Sequence, residues 1–174
     1  GATLTIAAGV GVNFGPRASL FIEGTLIASG NVDNNIRFLP INVEEDYGLW
    51  QSIVFKPTST NSRMDYCFIA FGGKFNNEDP NLSAAVVIDD CNPIIEHSMI
   101  YLNQYNGILL RHGAVPSLHS NIIFKNDGSG IVFEDSTHVG STIVLDGIPS
   151  GEMISYNCVA NNSSLDFRFS SDFK

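Results

Sequence analysis

The chain has 174 residues, enough to bury a core without disulfides or a structural metal, and its 44% apolar and 16% charged composition excludes a disordered segment. A formal net charge of -9 repels phosphate backbones and anionic lipid heads, so nucleic acid and membrane surfaces are set aside, and membrane insertion with them because no apolar run approaches the roughly 18 residues of a span. Cys67, Cys91 and Cys158 form no CxxC pair, which excludes a zinc knuckle or redox dithiol and leaves buried free thiols as the expectation.

Asn, Ser, Gly and Asp take the places that Lys and Glu hold in helical proteins, so strands and turns are expected throughout. In chain order, apolar-x-apolar triplets fall at 4–6, 12–14, 20–22, 36–38, 53–55, 86–88, 108–110 and 131–133, each bounded by turn formers, and this alternation predicts short strands. The early triplets beginning at Leu20, Ile36 and Ile53 suggest short coils. The stretches 39–49 and 72–83 are too long for turns and read as loops outside the repeat.

The second half of the chain repeats at 22 to 23 residues, with Pro93 falling on Pro116, Asn103 on Asn126 and Gly107 on Gly130. Inward ladders follow: Met64, Ile95 and Leu118; Phe68, Met99, Ile122 and Cys158; Ile69, Ile100, Ile123 and Val159. A unit this short cannot bury its own apolar face, so successive units stack. The fold expected is all-β: a right-handed, single-stranded parallel β-helix solenoid of about seven coils of roughly 16 to 24 residues, one domain over 1–174 and a piece of a longer protein. The column Cys67, Ser98, Asn121 and Asn157 falls at a bend and is expected to hydrogen-bond along the stack.

The opening GATLTIAAGVGVNFGPRASLFIEGTLIASGN, then IRFLP and GLWQSIVF, and the later CNPIIEHSMIYLNQYNGILL and AVPSLHSNIIFKNDGSGIVF resemble the secreted right-handed parallel β-helix repeat proteins of pectin-lyase-like fold. The resemblance covers nearly the whole chain. It implies a secreted or cell-surface location and leaves activity open, because the family includes lyases, glycosidases, adhesins and modules without chemistry.

Stacking brings distant residues into outward columns. One corner carries Lys56, Asp89, Arg111 and Glu134, a charge ladder, beside Pro57, Asp90, His112 and Asp135, where two carboxylates would flank an imidazole. Carboxylates near one another are what glycoside cleavage needs. The string IDDC followed one coil later by RHG is similar to motifs of the polygalacturonase type of glycosidase, which implies catalytic roles for Asp89, Asp90 and His112; the stacked columns add Asp135 as a further candidate catalytic carboxylate and Arg111 and Glu134 as candidate ligand contacts. That family's N-T-D and R-x-K motifs are absent.

Tyr101, Tyr105 and Phe75 are candidates for stacking on sugar rings. Glu44, Glu45 and Asp46 are candidate calcium ligands without regular ligand spacing. The column Asp65, Glu96 and His119 reads as solvent face rather than as a metal site, and no cofactor is expected. An outward row of Val54, Val87, Leu109 and Val132 requires a cover, from the long loops or from another domain or subunit.

The leading expectation is a non-catalytic extracellular module for carbohydrate binding, adhesion or surface assembly. The alternative is a polysaccharide-active hydrolase or lyase. Partners expected are a polysaccharide, other domains of the same protein, or further copies joined end to end or side to side.

Overall fold

A computed structural model describes residues 1–42, 49–74, 83–134, 154–155, 158–160, 162 and 167–169. Among these the chain is all-β, without helix. Three sheets each hold six parallel strands. The first contains β1 (Thr3–Ile6), β4 (Thr25–Ser29), β7 (Arg63–Asp65), β10 (Ile94–Glu96), β13 (Ser117–His119) and β16 (Ile154–Ser155). The second contains β2 (Gly11–Phe14), β5 (Ile36–Pro40), β8 (Cys67–Ala70), β11 (Met99–Tyr101), β14 (Ile122–Phe124) and β17 (Cys158–Ala160). The third contains β3 (Leu20–Ile22), β6 (Ile53–Phe55), β9 (Ala84–Asp89), β12 (Asn106–Arg111), β15 (Ile131–Phe133) and β18 (Phe167–Phe169). Three consecutive strands visit the three sheets in turn, and the next three lie beside them, an arrangement consistent with a β-helix solenoid.

Alternation along each strand sends one set of side chains inward. Met64, Ile95 and Leu118 are register partners in the first sheet, Ile69, Ile100 and Ile123 in the second, and Phe55, Ile88, Leu110 and Phe133 in the third. All belong to one core and are at most 1% exposed, and each contributes about 1.5–3 kcal/mol through burial. The row Phe68, Met99 and Ile122, expected to face inward, faces outward instead, with Ile122 42% exposed, because each directly precedes an inward residue of its strand. The early coils also differ from expectation. Leu20 pairs with Ile53, while Ile36 lies in the second sheet beside Cys67, so the three are not successive positions of one column. Apolar triplets look alike whichever sheet they enter, and spacing alone does not distinguish them.

Corners are made by single residues in the left-handed region. Tyr66 (φ 49°), His97 (46°) and Ser120 (53°) follow β7, β10 and β13; Phe71 (59°), Leu102 (54°) and Lys125 (52°) follow β8, β11 and β14; Asp90 (48°) and His112 (52°) follow β9 and β12. Each such residue costs about 1–2 kcal/mol relative to ordinary backbone. Polar ladders hold the bends. The Cys67 N–H donates to Ser98 Oγ and the Ser98 N–H to Asn121 Oδ1, both at 3.0 Å. The Gly72, Asn103 and Asn126 N–H groups donate in the same way to the side chains of Asn103, Asn126 and Asn162 at 2.9, 3.2 and 3.0 Å.

The outward row of the third sheet is closed over. Val54, Val87, Leu109 and Val132 are 1%, 0%, 5% and 7% exposed and form a cluster of their own with Ala84. Trp50 is fully buried at the edge of the main core, stacked on Phe14 at 4.2 Å with its indole N–H donating to the Ala70 carbonyl at 3.0 Å.

Candidate functional site

The corner after the third sheet gathers Asp89, Arg111, His112 and Glu134. Strand pairing sets Asp89 beside Arg111, whose Nε lies 3.0 Å from Glu134 Oε2 and 4.0 Å from Asp89 Oδ1. His112 sits in the left-handed corner position, which turns its ring back onto the first column: Nδ1 lies 2.6 Å from Asp89 Oδ1. The sequence pointed instead to Asp90 and Asp135 as its neighbours; the partner is Asp89, and Asp135 lies outside the described residues. The other ring nitrogen is 3.4 Å from Arg111 Nη2. Glu134, Arg111, His112 and Asp89 thus form one chain of ion pairs and hydrogen bonds, with His112 exposed and Arg111 largely buried. Cleavage of a glycosidic bond calls for two carboxyl groups facing each other across a substrate, about 5–5.5 Å or 6.5–9.5 Å apart. Here both carboxylates lie against the same guanidinium.

Asp90 faces elsewhere. Its own φ of 48° turns it away from Asp89 and into a groove of about 550 Å³ on the outer face of the first sheet. Ile27, Arg63 and Ile94 are register partners on β4, β7 and β10 and form the floor. The turns leading into β7 and β10 form the walls, presenting Asn61, Asp90 and Asn92. Arg63 Nη2 lies 3.2 Å from Asp65 Oδ2 and 2.8 Å from Glu96 Oε1, so its charge is balanced by neighbours on the same face of the sheet. The other Asp65 oxygen is 2.9 Å from His97 Nδ1, and the His97 ring stacks on Tyr66 at 4.9 Å and 17°. The expected column of Asp65, Glu96 and His119 is in register, and what fills the space between the two carboxylates is a guanidinium.

On the second sheet Tyr101 stacks on Phe124 at 5.3 Å and meets Phe68 edge-on at 4.8 Å. Rings stacked along the strand-to-strand direction turn their faces toward one another and their edges outward. Burial raises the Tyr101 phenol above its ordinary value, so it remains a protonated donor. Tyr105 lies in the following turn, its carbonyl accepting the Gly128 N–H at 2.8 Å. Phe75 and the acidic run Glu44, Glu45 and Asp46 lie outside the described residues.

The groove escaped the sequence reading because its walls are ordinary turn residues from separate stretches. A signal was present: the Met64–Ile95 ladder already sets Arg63 beside Ile94, in an outward row leading to the turn that carries Asp90. No protein family, curated protein or solved structure matches the chain.

Proposed function

We propose that the chain is a right-handed parallel β-helix of about seven coils, secreted or displayed at a cell surface, that binds carbohydrate without cleaving it and serves adhesion or surface assembly. The observation that carries this reading is the groove. Its volume of about 550 Å³ is that of a small-molecule site, and it sets exposed apolar floor residues between amide, carboxylate and guanidinium groups. Such a mixture suits a ligand with a C–H face and a rim of hydroxyls. A rigid ladder of parallel strands supports both walls, so the site is preorganised. The terminal strands β1, β2 and β3 of the three sheets are where end-to-end self-association would add strands.

The second reading, a polysaccharide-active enzyme, draws on the 2.6 Å contact between Asp89 and His112, since a carboxylate-oriented imidazole with an exposed ring is a competent general base. The two readings part in one assay, a glycan screen that records both binding and release of reducing ends. Binding without release is the expected result.

A further inference from the structure

We infer that the groove on the first sheet selects an uncharged saccharide, in preference to the uronate or sulfated polymers that a basic cleft would take; this rests on the carbohydrate-binding reading above. Arg63 is the cation that lines the groove, and both Asp65 and Glu96 lie within 3.2 Å of its guanidinium. Its positive charge is therefore spent on neighbours of the same sheet, and what it offers a ligand is directional N–H donors. Asp90 adds an exposed carboxylate to the wall, and neither Asp89 nor His112 lines the groove. The balance along the groove is negative, in a chain whose formal net charge is -9. An anionic sugar entering there would lose its hydration and meet like charge.

Uncharged hydroxyls meet the opposite situation. Each both donates and accepts, and the groove supplies both halves: the Arg63 N–H groups and the Asn61 and Asn92 amide N–H groups donate, while the Asp90 carboxylate and the Asn61 amide oxygen accept, the Asn92 oxygen being taken by the Val115 N–H at 3.3 Å. Ile94 is 37% exposed, and with Ile27 it gives the floor an apolar surface for the C–H face of a pyranose ring. Backbone geometry fixes the walls. Asn61 (φ 53°) and Asp90 (φ 48°) both sit in left-handed positions, so their side chains leave the backbone in directions that an ordinary β residue would not give.

The test is calorimetric titration of the intact chain with cellohexaose, xylohexaose, mannohexaose and oligogalacturonate at low and high salt. The expected result is binding of a neutral oligosaccharide with an affinity that changes less than about twofold from ~20 to ~500 mM salt, and a loss of at least about tenfold in both Asp90→Gly and Asn61→Gly. Glycine keeps the left-handed corners, so both variants should melt like the parent, and His112→Asn should bind normally. Preference for oligogalacturonate, with affinity falling as salt rises, would overturn the neutral-ligand inference and leave the carbohydrate-binding reading intact. Neutral binding that ignores Asp90→Gly and Asn61→Gly would overturn the groove as its location. Silence toward all four probes would overturn both readings.

Discussion

The side-chain oxygen of Asn126 accepts two hydrogen bonds from Asn103, at 3.2 Å from its backbone N–H and at 2.8 Å from its amide. The two residues are 23 apart in sequence and neither is exposed. Asn126 in turn donates to the Ile100 carbonyl and to Asn162, so each asparagine links strands above and below. Asn126→Ala leaves buried donors of Asn103 without a partner, which costs about 1–3 kcal/mol each. The expected loss is about 2–4 kcal/mol, read as a fall in the urea midpoint.

Lys125 pays for its corner with strained backbone. It is exposed and holds φ 52°. Asparagine tolerates the left-handed region, so Lys125→Asn is expected to stabilise by about 0.5–1 kcal/mol and raise Tm by about 1–4 °C. Lys125→Val, which is β-branched, should lower it. Differential scanning calorimetry of the two variants checks the sign.

Trp50 is the single tryptophan and reports the core directly. Its emission should be blue-shifted in the native state and move red in one step with unfolding. A Cβ on Gly72 would lie 2.5 Å from the indole, so Gly72→Ala forces the ring off Phe14 and is expected to cost about 1–3 kcal/mol, while Trp50→Ala costs about 3–5 kcal/mol. Gly72→Ala should also shift the native emission, which a purely local backbone effect would not do.

Burial pushes the Cys67 thiol from an ordinary 9.0 up to about 12 and the Cys91 thiol up to about 11. The folded state therefore holds these protons more tightly than the unfolded state does. The resulting stability is complete below pH 9.0 and is lost as pH rises toward about 12 for Cys67 and about 11 for Cys91. Urea midpoints taken between about pH 8 and about pH 10.5 should fall, and the fall should be shallower in Cys67→Ala. Ellman's reagent should leave both thiols unmodified until the chain unfolds.

The strands and much of their stacking were legible because inward residues recur at fixed spacing. Val86, Ile108 and Ile131 are register partners as the repeat required. Strand β4 was hidden because one of its two inward residues is Ala28, too small to mark an apolar triplet. The direction of corner side chains was not legible at all. Asp89 and Asp90 are neighbours in sequence, yet one joins His112 and the other lines the groove, and the difference lies in a backbone angle that no residue pattern announces. The burial of Val54, Val87, Leu109 and Val132 was anticipated as a need for cover, and all four are at most 7% exposed.

The most direct measurement is a glycan array of the intact chain beside Asp90→Gly and His112→Asn, each read for retained glycan and for new reducing ends. The account predicts retention without release, lost in Asp90→Gly and kept in His112→Asn. Release of reducing ends by the parent chain that disappears in His112→Asn would contradict it, and would transfer the function to the Asp89–His112 corner.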